Sequence, residues 1–209
     1  MKKLREILNS FTEDDYKNNL VNLHIHTTCS DGEGDYKQIV SSAKNKKYKL
    51  IAITDHNTVE AHKNIQDEIL LTGVEFDCWF GYLFIHLLAY GVNINHPELI
   101  PFFAKNKKDT EDVLPRLFAK RNVKKLIDAI HQAGGLAVLA HPACYWALNL
   151  EKMIVNLIEL GLDGVEVYYP YPRFRKIVKF HSSKDVKRIV ENYPQLIKTG
   201  GTDFHAEIF

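Results

Sequence analysis

Val21-Asn22-Leu23-His24-Ile25-His26, with Ser30-Asp31-Gly32 close behind it, is the stretch on which the reading of this chain turns. Apolar and polar residues alternate through Val21, Leu23 and Ile25, which is the period of a strand. Side chains two apart on a strand share a face, so His24 and His26 project together, next to Asn22. Two adjacent imidazoles followed by a carboxylate in a glycine turn form a metal-ligand pattern. Alone, the six residues also suit two ordinary buried histidines, and the rest of the chain has to discriminate.

Outward from this strand, helical and strand periods take turns. Leu4, Ile7, Leu8 and Phe11 share a helical face ahead of it, an N-terminal helical extension over residues 1–20 that packs on one end of the domain. After it, Tyr36, Ile39, Val40 and Ala43 mark a helix with Asp35 as N-cap. Leu50 to Thr54 is a continuous apolar run of the kind buried on both faces in parallel sheets, and it ends in Asp55-His56-Asn57. Leu70 to Phe76 reads as a third strand ending at Glu75, and Phe80 to Tyr90 as a fourth with His86 inside. Residues 93–121, rich in lysine and proline, read as an insertion of loops and short helices. A helix from Val123 stops at Gly134-Gly135. Leu136–Ala140 is a strand that runs into His141-Pro142. A helix over Leu150–Ile158, a strand over Gly164–Tyr168, a helix capped by Ser182 and Asp185 and a last strand over Leu196–Thr199 lead to Gly201-Thr202-Asp203-Phe204-His205.

This alternation predicts an α/β fold with a mainly parallel sheet of about seven strands, closed or nearly closed into a barrel so that no edge is left open. At 209 residues the chain suits one domain over 21–209 with a full core. A formal net charge of +1 argues against a binder of nucleic acid or membrane over its whole surface, while leaving room for a local positive site. Cys29, Cys78 and Cys144 are an odd number at no disulfide-like spacing. With no signal-peptide pattern at the start and no apolar run long enough to span a bilayer, the expectation is a cytoplasmic protein with no membrane association and no obligate protein partner.

In a parallel barrel the C-terminal strand ends meet at one face. His24, His26, Asp31, His56, Glu75, His141, Asp203 and His205 all fall at or just after strand ends, with His86 the exception. Any one of them has a mundane explanation as a cap or a satisfied polar group. Nine together, buried without metal, would leave many polar groups to satisfy. Nine donors exceed what one ion takes, so two or three divalent ions are expected, with Glu75 a bridge. Histidine and carboxylate ligands without cysteine suit Mn, Zn or Fe. Three such ions against three carboxylates leave the pocket positive, which suits an anionic substrate and a phosphate ester best.

These motifs resemble those of the PHP (polymerase and histidinol phosphatase) family of metal-dependent phosphoesterases, from about residue 20 to the C-terminus. The segments that carry the likeness are His24-Ile25-His26 with Ser30-Asp31-Gly32, Thr54-Asp55-His56-Asn57, Gly73-Val74-Glu75 with His86, and His141-Pro142 with Gly201 to His205. The resemblance implies a distorted (β/α)7 TIM-like barrel and a trinuclear centre. His24, His26, Glu75 and Asp203 would hold one ion; Glu75, His86 and His141 a second; Asp31, His56 and His205 a third. It points to the stand-alone branch that acts on nucleotides and short RNA ends, by a hydroxide held between ions, with Asp31, His56, Glu75 and His205 nearest the chemistry. The insertion between His86 and His141 is short for that branch. Ala143-Cys144-Tyr145 stands where many relatives carry an arginine, so a phosphate clamp is either missing or supplied elsewhere. Arg173 and Arg175 are candidates for it, and Tyr168, Tyr169 or Tyr171 for stacking on a base. Alternatives are a histidinol-phosphate-type phosphatase, an amidohydrolase cleaving a C–N bond, or a non-catalytic PHP module. Glu166 reads as a supporting residue, and His62, His96, His131 and His181 as surface or packing residues.

Overall fold

The computed structural model describes residues 1–118, 121–170 and 181–207. Seven strands pair in sequence order: β1 (Val21–Ile25), β2 (Leu50–Ile53), β3 (Leu70–Phe80), β4 (Leu83–Tyr90), β5 (Leu136–Leu139), β6 (Gly164–Tyr168) and β7 (Ile197–Gly200). Pairing is parallel from β1 to β3 and from β5 to β7, while β4 runs antiparallel to both its neighbours. The sheet curls so that the segment after β7 reaches β1. There His26 N donates to Phe204 O at 2.8 Å and Phe204 N donates to His24 O at 3.3 Å. This is the distorted TIM-like barrel that the family resemblance implies.

Two expectations need correction. The runs around Glu75 and His86 form one long hairpin, turning at Gly81-Tyr82, and Phe80 belongs to its first strand. Glu75 therefore sits in mid-strand. β3 pairs with β2 only as far as Thr72, then keeps its hydrogen bonds by pairing with β4 from Gly73 to Phe80. The alternation expected through Val21, Leu23 and Ile25 also breaks, although Asn22 Oδ1 accepts from His24 N at 3.3 Å. An irregularity in β1 between Asn22 and Ile25 interrupts it. Leu23 consequently packs with Val21, Ala52, Leu88 and Tyr90, and Ile25 packs with Ile39, Ile51 and Ile53. The Asn22 amide also donates to Thr202 Oγ1 at 2.7 Å and accepts from Thr202 N, tying β1 to the segment after β7.

Nine helices are described: α1 (Lys2–Asn9), α2 (Glu13–Lys17), α3 (Tyr36–Asn45), α4 (Glu60–Asn64), α5 (Lys108–Glu111), α6 (Val113–Phe118), α7 (Val123–Gln132), α8 (Leu150–Glu159) and α9 (Ser183–Glu191). Asp35 caps α3 by accepting from Lys37 N and Gln38 N, and Ser182 with Asp185 forms the capping box of α9. The apolar faces of α7, α8 and α9 (Leu126, Ile130, Leu157, Val186, Val190) join Phe76, Ile85, Leu87, Leu139 and Val165 in the largest core cluster. A second cluster fills the end of the barrel away from the strand C-termini, with Leu8 of α1, Leu23, Leu88, Tyr90, Val138 and Ile197. Ile7, expected on the apolar face of α1, is exposed. No helix among the described residues is long and apolar enough to cross a membrane.

Candidate metal centre

At the C-terminal rim of the parallel strands, the nine expected donors converge. His24 and His26 lie on the inner side of the barrel with ring centroids 5.2 Å apart. Around them stand Glu75 of β3, His86 of β4, His56 after β2, His141 after β5, and Asp203 and His205 after β7. His86 is no exception after all. Because β4 is reversed, its beginning lies at the rim where the parallel strands end, and it faces Asp77 across the hairpin.

Glu75 is the hub. Its Oε2 lies 3.3 Å from His24 Nε2, 3.2 Å from His26 Nε2 and 3.2 Å from His56 Nδ1. Its Oε1 lies 2.9 Å from His86 Nδ1 and 3.2 Å from His141 Nε2. Asp203 Oδ1 is 3.3 Å from His24 Nε2 and 3.1 Å from His26 Nε2. Asp31 lies 3.3 Å from His205 and 3.6 Å from His56, nearer the mouth and partly exposed. Four groups result in which donor atoms could share a cation: His24–His26–Glu75–Asp203, Glu75–His86–His141, His26–Asp31–His56–His205 and His56–Asp77–His86.

The donor chemistry fits metal. Ligand atoms about 2.1 Å from one tetrahedral ion stand about 3.4 Å from each other, close to the separations around His24, His26, Glu75 and Asp203. In addition, His24 Nε2, both ring nitrogens of His26, Glu75 Oε2 and His141 Nδ1 are buried with no hydrogen-bond partner. Leaving such atoms unpaired is costly, and a cation satisfies several at once.

The backbone is shaped around this cluster. His141 (φ 25°), Asp203 (φ 52°) and Asn57 (φ 56°) all have positive φ, an uncommon conformation for non-glycine residues. A Cβ on Gly201 would collide with His24, and one on Gly32 with the His26 carbonyl. Both positions need glycine for close approach. Asp55 is not among the donors. It accepts from Thr27 N at 2.7 Å, Thr27 Oγ1 at 2.8 Å and Ser30 Oγ at 2.7 Å, and so holds the turn that carries Asp31.

Two side chains complete the site beyond the sequence reading, and a third takes the supporting place expected of it. Asp77 was missed, although the alternation that pairs His24 with His26 also puts Asp77 on the face of Glu75. Its Oδ1 lies 3.2 Å from His86 Nε2 and 3.4 Å from His56 Nδ1. Arg116, on α6 in the insertion, reaches inward almost fully buried. It donates to Asp77 Oδ2 at 2.9 Å, to Asp77 Oδ1 at 3.0 Å and to Asp31 Oδ2 at 2.8 Å. No local signal in the sequence marks it. Glu166, read as a supporting residue, lies with Oε1 3.1 Å from His24 Nδ1 and accepts from His141 N at 2.8 Å. A carboxylate on Nδ1 keeps the proton there and turns a free Nε2 lone pair inward. With Asp77 and Glu166, five carboxylates and one guanidinium meet here rather than the three carboxylates expected, so the positive excess at the mouth is smaller than the sequence suggests.

The charges are strongly coupled. Burial opposes charge on His26, yet Asp203 and Glu75 raise its pKa to about 9. Burial likewise opposes charge on His141, which Cys144 and Glu75 raise to about 10. His24 is held well above its ordinary value against burial by Glu75, Glu166 and Asp203. His56 is the opposite case: burial, helped by His26, lowers it to about 4. Burial would raise Glu75 and Asp203, but the surrounding imidazoles hold both well below the ordinary carboxylate value.

Of the second-tier candidates, Arg173, Arg175 and Tyr171 lie outside the described residues. Tyr169 donates to Asp203 Oδ2 at 2.9 Å, whereas Tyr168 stacks on Tyr16 at 5.2 Å. His62 is buried against Ile53 O, His131 pairs with Asp163, and His181 meets Ala147 O.

The PHP domain family matches residues 22–201. The chain belongs to that family, and it is an enzyme of the class that hydrolyses phosphoric ester bonds. It is 24% identical over 218 residues to the 5'-3' exoribonuclease Rnm of Escherichia coli (strain K12), covering 71% of this chain and 74% of the relative. It is 22% identical over 259 residues to the phosphoribosyl 1,2-cyclic phosphate 1,2-diphosphodiesterase of Eggerthella lenta, covering 88% and 94%. Among solved structures, an amidohydrolase from Chromobacterium violaceum with bound sulfate superposes with a TM-score of 0.69 at 18% identity, covering 89% of this chain and 87% of that one. A Bifidobacterium adolescentis protein assigned as a metal-dependent phosphoesterase gives 0.65 at 19% identity, covering 88% and 87%. At these identities the structural likeness speaks for the fold alone.

Proposed function

We propose that this chain hydrolyses phosphate esters of nucleotides or short oligonucleotides, using two or three divalent ions (Mn, Zn or Fe) held by His24, His26, Asp31, His56, Glu75, His86, His141, Asp203 and His205. The observation that carries the reading is the set of buried, unpartnered donor atoms on His24, His26 and Glu75, with Asp203 Oδ1 within 3.3 Å of both imidazoles. The relatives that act on RNA and on a cyclic phosphate ester support the substrate class. Three free cysteines suit a reducing cytoplasm.

Bound divalent ions supply Lewis acidity and a nucleophilic water at neutral pH. The protein's own residues do the remaining work. Glu75 spans two donor groups through its two oxygens, and Asp77 adds a carboxylate between His56 and His86. Glu166 orients His24 from behind. Asp31 and His205, the most exposed of the donors, stand where an entering phosphoryl group would meet the site. Arg116 directs its planar fork of N–H donors at Asp77 and Asp31 and so positions these two carboxylates at the mouth. Tyr169 donates to Asp203 and fixes its second oxygen.

The test is a phosphate-release screen of the purified protein in added Mn, Zn or Fe. Its substrates are mononucleotides, 3',5'-bisphosphates, short 5'-phosphorylated RNA and histidinol phosphate, with ammonia release followed in parallel. Release from nucleotides or RNA is expected. Ammonia release without phosphate would favour an amidohydrolase, and the absence of both with every metal would end the proposal.

A further inference from the structure

The β3–β4 hairpin continues past the donor cluster, and what it carries there has no part in the core. Residues opposite each other in an antiparallel pair share a face, as do residues two apart on one strand. Asp77 pairs with His86 and Trp79 pairs with Phe84. The face that supplies two groups to the centre therefore presents an indole and a phenyl ring one step farther out. The Phe84 ring stands edge-on to His86 with centroids 5.3 Å apart, and the Trp79 ring lies 5.4 Å from Phe84.

The opposite face of the hairpin behaves differently. Phe76, Cys78, Leu83, Ile85 and Leu87 are buried in the largest core cluster, with Phe80 packed against it. Trp79 and Phe84 belong to none of the three clusters, and Trp79 is 37% exposed. Large aromatic surface left at the rim of a polar site, next to a candidate ligand, is the composition of a stacking platform. The indole is also held in place, since Trp79 Nε1 donates to Leu117 O at 2.8 Å at the end of α6. The same short helix carries Arg116, so the element that anchors Trp79 also delivers the guanidinium to Asp31 and Asp77.

We infer that Trp79 and Phe84 form the base-reading wall of this enzyme. They stack on the nucleobase attached to the phosphate being cleaved, while the centre holds the phosphate. This rests on the phosphoesterase reading above and deepens it. A flat aromatic moiety next to the phosphate is the feature selected, and sequence among the bases is not, because every base offers a π-face.

The experiment compares adenosine 5'-monophosphate with ribose 5-phosphate on the metal-loaded protein. In Phe84→Leu, and separately in Trp79→Leu, the ratio of kcat/KM for the nucleotide over the sugar phosphate falls about tenfold, mainly through KM of the nucleotide. A ratio equal to that of the parent in both variants, with folding confirmed by an unchanged melting profile, overturns the inference. Should either leucine variant fold poorly, fluorescence decides. In a Trp146→Phe background Trp79 is the sole indole, since the chain has two tryptophans. Its emission is quenched by the nucleotide and not by ribose 5-phosphate; equal response to both refutes the wall. If the protein releases phosphate from neither compound yet the nucleotide alone quenches Trp79, the wall stands and the hydrolytic reading falls.

Discussion

The two ends of this barrel are built on opposite principles. The end beneath α1 is apolar and closely packed. Leu8, Leu23, Leu88, Val138 and Ile197 fill it, and the Tyr90 hydroxyl donates to Leu23 O at 2.7 Å. Asp163 draws Arg5 of α1, His131 of α7 and the Ala137 amide together below it. The rim holds the reverse: crowded imidazoles and carboxylates, positive φ at Asn57, His141 and Asp203, and buried ring nitrogens and a carboxylate oxygen without partners. Such a rim is unfavourable by itself, and the well-packed end must hold it in place. Stability and chemistry are thus separated along the barrel axis.

Substitutions can break that separation or sharpen it. The largest effect is expected at the rim. Asp203→Ala or His26→Ala should abolish phosphate release and lower bound metal by about one ion per chain, with circular dichroism near that of the parent. Metal content and turnover at parental levels would place the centre elsewhere. At the other end, Leu23→Ala should cost about 2–5 kcal/mol in chemical denaturation while the folded fraction keeps its metal. A loss of metal in parallel with stability would show that the two ends are not separable.

Glu166→Gln removes the carboxylate from His24 Nδ1 and leaves the donors in place. Metal affinity should fall about 10–100-fold by calorimetry, with little change in melting temperature of the metal-free protein. Acidity gives a related test. In the metal-free protein the pKa values of His26, at about 9, and His141, at about 10, lie above the ordinary 6.5. The protons they hold stabilise the fold fully below pH 6.5, and that contribution is lost as pH rises through 9 to 10. Metal binding must expel the same protons, so apparent affinity should climb as pH approaches that window. An affinity flat from pH 6 to 9 would contradict the assignment of these imidazoles.

The smallest effect belongs to the apolar end's own ion pair. Asp163 raises His131 above 6.5, so the pair supports the fold below that pH and fades as pH rises through the raised value. Since His131 is partly exposed, His131→Gln should cost under about 1 kcal/mol at pH 6 and progressively less in more alkaline buffer. A cost that grows with pH would reverse the assignment.

Much of the rim was legible because it is local. A histidine or carboxylate just after an apolar strand reads directly from spacing, and His24, His26, His56, His141, Asp203 and His205 all reach the rim that way. Asp77 was legible in principle, as it lies two residues beyond Glu75 on the same strand face. Its strand was cut one residue short of it at Phe76, since nothing local announces that β3 changes partners after Thr72.

By itself, then, the sequence determined the alternating α/β architecture and singled out candidate donors near strand ends, because both depend on periodicity and on position along the chain. Only the tertiary structure decided the rest. The reversal of β4 brings His86 to the rim, Glu166 turns behind His24 from 142 residues away, and Arg116 crosses from α6 to Asp31. These depend on strand direction and long-range approach, which are set when the sheet curls and have no counterpart in the spacing of residues.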